Sequence, residues 1–189
     1  METVASVLIG IGLSATCGFR IFVPLLVMSI TGQLDLLHLS PAFAWIQSTP
    51  ALIAFGVATV IELLAYLIPL VDNALNAVSI PLTVVAGIVI TAAVILDLNP
   101  FATWTLAVIA GGGASLAGSA ASNILHGGST ATTGGAGNPI LSTLESVFSV
   151  IMSVLSVLVP VMAVILLVIA GVFGIRVLKR VFRRRPVAA

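Results

Sequence analysis

The chain has 189 residues, of which 60% are hydrophobic and only 7% charged, with a formal net charge of +1 and a mean hydropathy of +1.29. A soluble domain carries about 25% charged residues, so this composition excludes a surface that water could cover, and no nucleic-acid partner is expected. The chain reads as an integral membrane protein whose first partner is the lipid bilayer.

The opening "METVASVLIGIGLSATCGF" has no basic region ahead of its apolar run and carries Glu2, so it reads as a first spanning helix and not as a cleaved signal. The single cysteine, Cys17, leaves no internal disulfide. A spanning helix needs about 20 mostly apolar residues. The first such tract runs from Val4 to Ile30, with Gly18 and Pro24 inside it as break points. The next three run from Pro50 to Leu70, from Ala77 to Leu96 and from Phe101 to Leu125. The tract from Pro139 to Phe182 is too long for one crossing, and Pro160 divides it into a fifth and a sixth helix. The alternative is one long kinked helix, which leaves five spans.

Thr49-Pro50, Asn99-Pro100 and Asn138-Pro139 each place a capping side chain before a proline at a helix start. Trp45 and Trp104 fall beside span ends, where interfacial anchors belong. Six of the seven basic residues, Arg176, Lys179, Arg180, Arg183, Arg184 and Arg185, close the chain. Positive residues stay inside, so the C-terminus is expected in the cytoplasm. Six spans put the N-terminus there too, whereas five put it outside.

The fold class expected is therefore all-α, a polytopic helical bundle of about six spans. The halves echo each other: "IGIGLSATCG" resembles "AGGGASLAGS", and "STPALIAFGVATVIELLAYLIP" resembles "GNPILSTLESVFSVIMSVLSVLVP". An odd number of spans per copy requires the second copy to be inverted, as in many transporters. The expected units are residues 1–98, residues 99–182 and a basic tail over 183–189, with the protein a homo-oligomer.

Charge at membrane depth is the strongest functional signal. Arg20 and Glu62 each cost about 2.5–3.5 kcal/mol or more to hold within a span, so they should face each other or share a hydrated cavity. Three readings stand side by side: a structural pair that fixes helix register, an anion site at Arg20 with Glu62 carrying a coupling proton or cation, and an Arg20 that reaches for an interface. Thr59, Glu62, Tyr66 and Asn73 share one helix face. Ser115, Ser119, Ser122 and His126 form one polar stripe, and Ser142, Glu145, Ser146, Ser149, Ser153 and Ser156 form another. Tight packing of small residues explains the first stripe equally well, and serines can bond the carbonyl four residues back. Meeting, the two stripes would make a polar seam.

Between them lies "HGGSTATTGGAGNPILSTLE", whose glycines permit close backbone approach and which reads as a re-entrant or cavity-lining segment. Ser142 to Glu145 also fits a capping box, which by itself would account for the glutamate. His38 and His126 fall in different loops without a cysteine or carboxylate cluster, so no metal or cofactor is expected.

Several of these residues come together in a resemblance. "GLSATCGFRIFVPLL", "ELLAYLIPLVDNALN" and "GNPILSTLESV" resemble conserved stretches of a bacterial membrane family known as domain of unknown function 4126. The matching positions are Gly18, Arg20 and Pro24, then Glu62, Pro69 and Asp72, then Asn138, Pro139, Ser142 and Glu145. The chain departs from that pattern at Asn76, where relatives carry an acidic residue, and in "SAASNILHGG", where they carry basic ones. The resemblance implies a multi-pass protein of the bacterial inner membrane and supplies no activity. Together these readings lead to transport of a small polar solute or ion, bound by Arg20, Glu62, Tyr66, Ser119, Ser122, Asn138, Ser142 and Glu145. A non-transporting accessory or scaffold subunit is the alternative, and no set of catalytic groups speaks for an enzyme.

Overall fold

A computed structural model describes the backbone of residues 2–66 and 69–183, and the side chains of 3–66, 80–172 and 176. The side chains of Asp72, Asn73, Asn76, Lys179, Arg180 and Arg183, and residues Arg184 and Arg185, lie outside the described residues. The described chain is all-helical: α1 (Glu2–Cys17), α2 (Phe22–Gln33), a 3-10 helix (Pro41–Gln47), α3 (Thr49–Ala65), α4 (Pro69–Val94), α5 (Pro100–Leu106), a π-helical segment (Ala107–Gly112), α6 (Gly113–Thr133), α7 (Asn138–Leu158) and α8 (Pro160–Arg183).

Local chemistry places most of these boundaries. Ser48, one residue ahead of the expected Thr49, caps α3 by accepting from the Ala51 N–H at 3.3 Å. Asn99 caps α5 by accepting from the Ala102 N–H at 2.9 Å, as its position before Pro100 implies. Asn138 does not cap. It is the first residue of α7, after Gly137 at the cap, and its amide donates to Thr130 Oγ1 at 3.2 Å, pinning α7 to α6. Pro160 lacks an N–H and opens α8, so the long C-terminal tract is two helices.

The outer faces are apolar and the inner faces polar. On α3, Ile53, Val57, Ile61 and Leu64 are exposed while Thr59 and Glu62 are buried. On α7, Ile140, Leu144, Val147 and Ile151 are exposed opposite buried Ser142, Ser149, Ser153 and Ser156. Water would reverse that arrangement, so the apolar helices are compatible with a multi-pass membrane protein. By length and composition, Pro100–Thr133 and Asn138–Leu158 can each cross a bilayer, and the 3-10 helix with α3, bent by 62°, makes a third candidate.

Contacts set the helix directions. Ser14 of α1 donates to the Gly87 carbonyl of α4 at 2.7 Å, and Gly10 packs on Thr91, so α1 and α4 are antiparallel. Along α7, Gly12 meets Ser156, Thr16 bonds Ser153 at 3.0 Å and Arg20 bonds Ser146 at 2.9 Å, so these too are antiparallel. Then the chain reverses. Val27 and Met28 of α2 share an apolar core with Leu13, Ile90, Ala93 and Val94, and the Ser40 N–H bonds the Ala93 carbonyl at 2.8 Å. The tract from Val4 to Ile30, expected as one broken span, is thus a helical hairpin with its tip at residues 18–21, and the count of six no longer follows from the sequence ranges. Pro24 breaks nothing, because it sits in the first turn of α2, where the N–H it lacks has no helical partner.

The expected inverted repeat is also corrected. Gly111 packs on Thr91 and Gly87, Ser115 lies against Gly87, and Ser119 bonds Thr83 at 2.7 Å. The π segment and α6 therefore run along α4 in the same direction as α1. α3 and α7 run oppositely, since the end of one and the start of the other meet at the hairpin tip. No single operator relates both pairs of echoes. The first pair is a run of small residues, which recur wherever backbones approach closely.

Candidate functional site

The buried charges gather at the tip of the α1–α2 hairpin. Arg20 is 1% exposed, Glu62 8%, Glu145 5% and His126 3%. α1 ends at Cys17 and α2 starts at Phe22, so the short tip leaves the first N–H groups of α2 without helical partners. Glu62 of α3 supplies them: Oε1 accepts from the Ile21 N–H at 2.8 Å and Oε2 from the Phe22 N–H at 3.1 Å. A carboxylate at a helix N-terminus also meets the positive end of its dipole. Glu62 holds the hairpin tip.

Arg20 ties the same tip to α7. Its Nε donates to Ser146 Oγ at 2.9 Å, Nη2 to the Ser142 carbonyl at 2.7 Å and Nη1 to the Phe19 carbonyl at 2.8 Å. The guanidinium lies 4.0 Å over the Tyr66 ring, a cation–π contact. Its carboxylate partner is Glu145, at 3.5 Å from Nη1 to Oε2. Among the described residues no direct Arg20–Glu62 ion pair appears, so the expected pairing gives way to one in which each acid holds a different group. With its donors spent on carbonyls, a hydroxyl and Glu145, Arg20 has little left for an anion.

Glu145 has unused capacity. Oε2 receives both Arg20 and, at 3.1 Å, His126 Nε2. Oε1 is buried with no hydrogen-bond partner, and so is the Ser142 hydroxyl on the preceding turn of α7. Glu145 is accordingly not a capping-box residue, because it sits two turns inside α7 and turns to α1 and α6. His126 was expected in a loop and outside the site. It lies instead on α6, and the sequence signal for it was the buried stripe it continues from Ser115, Ser119 and Ser122.

The remaining expected residues divide. Tyr66 and Ser142 belong to the tip cluster. Asn138 is buried below the α6–α7 turn, and Ser119 lies in the α4–α6 seam with Thr83. Ser122 is buried on α6 between Ser119 and His126. The two polar stripes meet at one end, where His126 of α6 bonds Glu145 of α7 at 3.1 Å, while α1 stands between their serines. The α7 stripe faces α1 through Thr16, and the α6 stripe faces α4. Within the Gly-rich stretch the glycine run is a helix end and a turn, while its ends, His126 and Ser142 to Glu145, belong to the buried cluster. Residues 126–133 extend α6, and Gly134 and Gly135, at φ 63° and 91°, end it, with open space around Gly127, Gly128, Gly134 and Gly135. The chain turns back there between α6 and α7, as it does at the charged tip between α1 and α2.

Residues 7–180 match the model of a protein family described as "Domain of unknown function (DUF4126)". No curated protein and no solved structure matches the chain.

Proposed function

The chain belongs to the DUF4126 family, and from that premise we propose that it transports a small polar solute or ion across the bacterial inner membrane, its basic tail in the cytoplasm and its active form a homo-oligomer. The observation that carries this reading is Glu145, a buried carboxylate with one oxygen unpaired, one turn along α7 from Ser142, whose buried hydroxyl is also unpaired. Buried unsatisfied polar atoms cost about 1–3 kcal/mol each, and ionisable groups at membrane depth mark ion and substrate pathways. Irregular backbone such as the hairpin tip is tolerated at that depth where protein or a cavity surrounds it. Arg20, Glu62 and Tyr66 build the tip, and Glu145, His126 and Ser142 present the exchangeable contacts.

A specific observation favours a second reading, a non-transporting scaffold subunit. Both oxygens of Glu62 and the main donors of Arg20 are satisfied within the chain, as register-fixing charges would be. Flux of sodium, potassium, chloride and protons into proteoliposomes under imposed gradients separates the two. Transport predicts flux in wild type that Glu145→Gln reduces at least tenfold. Wild-type vesicles as tight as empty ones would favour the scaffold.

A further inference from the structure

We infer that the α1–α2 hairpin is a re-entrant plug: it enters and leaves the membrane by one face, stops at mid-depth, and leaves the charged cluster at its tip to be reached from the opposite face alone. The inference deepens the transport reading, on which the purpose of the plug rests, while the geometry stands by itself. At about 1.5 Å per residue, the 16 residues of α1 rise about 24 Å and the 12 of α2 about 18 Å, whereas a hydrocarbon core is about 30 Å thick. Neither helix crosses it. Both open ends lie at the Val94 end of α4: Gly10 packs on Thr91, and the chain after α2 bonds the Ala93 carbonyl through the Ser40 N–H at 2.8 Å. The tip falls midway along α4. Gly18 meets the backbone of Ser119, and Ser119 bonds Thr83 at 2.7 Å, which leaves about 16 Å of α4 on the open side of the hairpin and about 21 Å on the other.

What fills the hairpin differs from what lies beyond its tip. Toward the open ends, Leu13, Met28, Ile46, Ile90 and Val94, each at most 1% exposed, pack into one apolar core, and a polar solute would have to shed its hydration to pass there. The hydroxyls beside that core are spent within the chain. Ser14 donates to the Gly87 carbonyl at 2.7 Å and lies 2.9 Å from Thr91 Oγ1. Thr16 donates to the Leu13 carbonyl at 2.7 Å, and Ser156 to the Met152 carbonyl at 2.6 Å. Beyond the tip the character changes. Among the described residues, Glu145 Oε1 and the Ser142 hydroxyl have no hydrogen-bond partner, and the chain from His126 to Gly137 carries no large apolar side chain. Gly127 and Gly128 are exposed, with open space where a Cβ would stand. Arg20 marks the border, with hydrocarbon sealing one side and small polar groups on the other. Broken helices that stop at mid-membrane are where transporters place their sites.

The test removes the sole cysteine of the full chain by Cys17→Ala and adds one cysteine at a time, as Val4→Cys, Asp35→Cys and Thr132→Cys at exposed positions and Ser142→Cys in the cluster. A charged, membrane-impermeant thiosulfonate is applied to right-side-out and to inside-out membrane vesicles. Val4→Cys and Asp35→Cys should react in the same vesicle orientation and Thr132→Cys in the other, with Ser142→Cys reacting at least tenfold faster from the Thr132 face. Val4→Cys and Asp35→Cys on opposite faces would make the hairpin a crossing and overturn the topology. Ser142→Cys that reacts from the Asp35 face, equally from both, or from neither would overturn the plug. If Ser142→Cys fails to fold, Ser146→Cys, half-buried beside Arg20, takes its place. The two readings fail separately: the expected labelling in vesicles that pass no ion refutes transport and leaves the re-entrant hairpin, whereas flux with Val4→Cys and Asp35→Cys on opposite faces does the reverse.

Discussion

Removing the Glu62 carboxylate should loosen the hairpin tip before it touches anything else. The two hydrogen bonds it accepts, at 2.8 and 3.1 Å, involve a charged acceptor, a class that contributes about 1.5–3 kcal/mol each. Glu62→Gln keeps one carbonyl oxygen and turns an amide N–H₂ toward the second backbone donor, so roughly 2 kcal/mol should be lost. Glu62→Ala orphans both N–H groups, and about 3–5 kcal/mol should go. For a chain of this length about 1 kcal/mol corresponds to 2–4 °C in Tm, so the glutamine variant should fall by roughly 5 °C and the alanine variant by roughly 10 °C or more. Thermal unfolding in detergent, read from the whole-chain transition, checks both. An alanine variant that melts with wild type would refute the reasoning, because two buried N–H groups cannot lose their acceptor at no cost.

Two more measurements test the packing. A Cβ at Gly18 would meet the backbone of the 118–119 turn of α6, at 2.5 Å from Gly118 Cα, where nothing flexible can yield, so Gly18→Ala should cost about 2–3 kcal/mol by overpacking; Gly56, with nothing within 4 Å, should tolerate alanine or gain up to about 1 kcal/mol from helix propensity, and equal melting of the two variants would contradict the crossing. Cys17 is fully buried in the apolar core, so a thiol-reactive fluorogenic maleimide should leave the native protein unlabelled and react in step with unfolding; rapid labelling of native vesicles would show that the core beside the tip is open.

How much of this was legible in the chain depends on range. Periodicity within one helix was readable: Thr59, Glu62 and Tyr66 are all buried, and the serines of α7 do line up inward, because side-chain direction follows from helical geometry alone; Asn73, expected on the same face, lies instead on α4, because α3 ends at Ala65. The division at Pro160 was readable for the same local reason. Partner choice was not. Arg20 and Glu62 are the charges nearest the middle of expected spans, and pairing them seemed economical, yet the acid that meets Arg20 is Glu145, whose capping-box spacing offered a sufficient local explanation. The hairpin escaped notice because a reversal and a kink present the same signal, an apolar tract interrupted by glycine, and only the return of Met28 to Leu13 and Ile90 separates them. The glycines from 127 onward misled in the opposite sense, since Gly127 and Gly128 are helical within α6 and Gly134 and Gly135, at positive φ, merely end it.

The placement of the glycines explains how such a tip can exist. A hairpin whose turn carries an arginine is stable in an apolar bundle only if donors and acceptors are brought to it from outside, since lipid provides none. That requires neighbouring helices within hydrogen-bond reach of the turn. Gly18 against Gly118, Gly87 against Gly111 and Gly12 against Ser156 remove the side chains that would hold α1, α4, α6 and α7 apart. At that separation Arg20 reaches the Ser142 carbonyl and Glu145 reaches His126. Alanine at these crossings should therefore perturb the charged cluster from a distance, and a double-mutant cycle of Gly118→Ala with Glu145→Gln, read from thermal unfolding, is the sensitive readout: losses that simply add would mean that close helix contact and the polar tip are independent features of the fold.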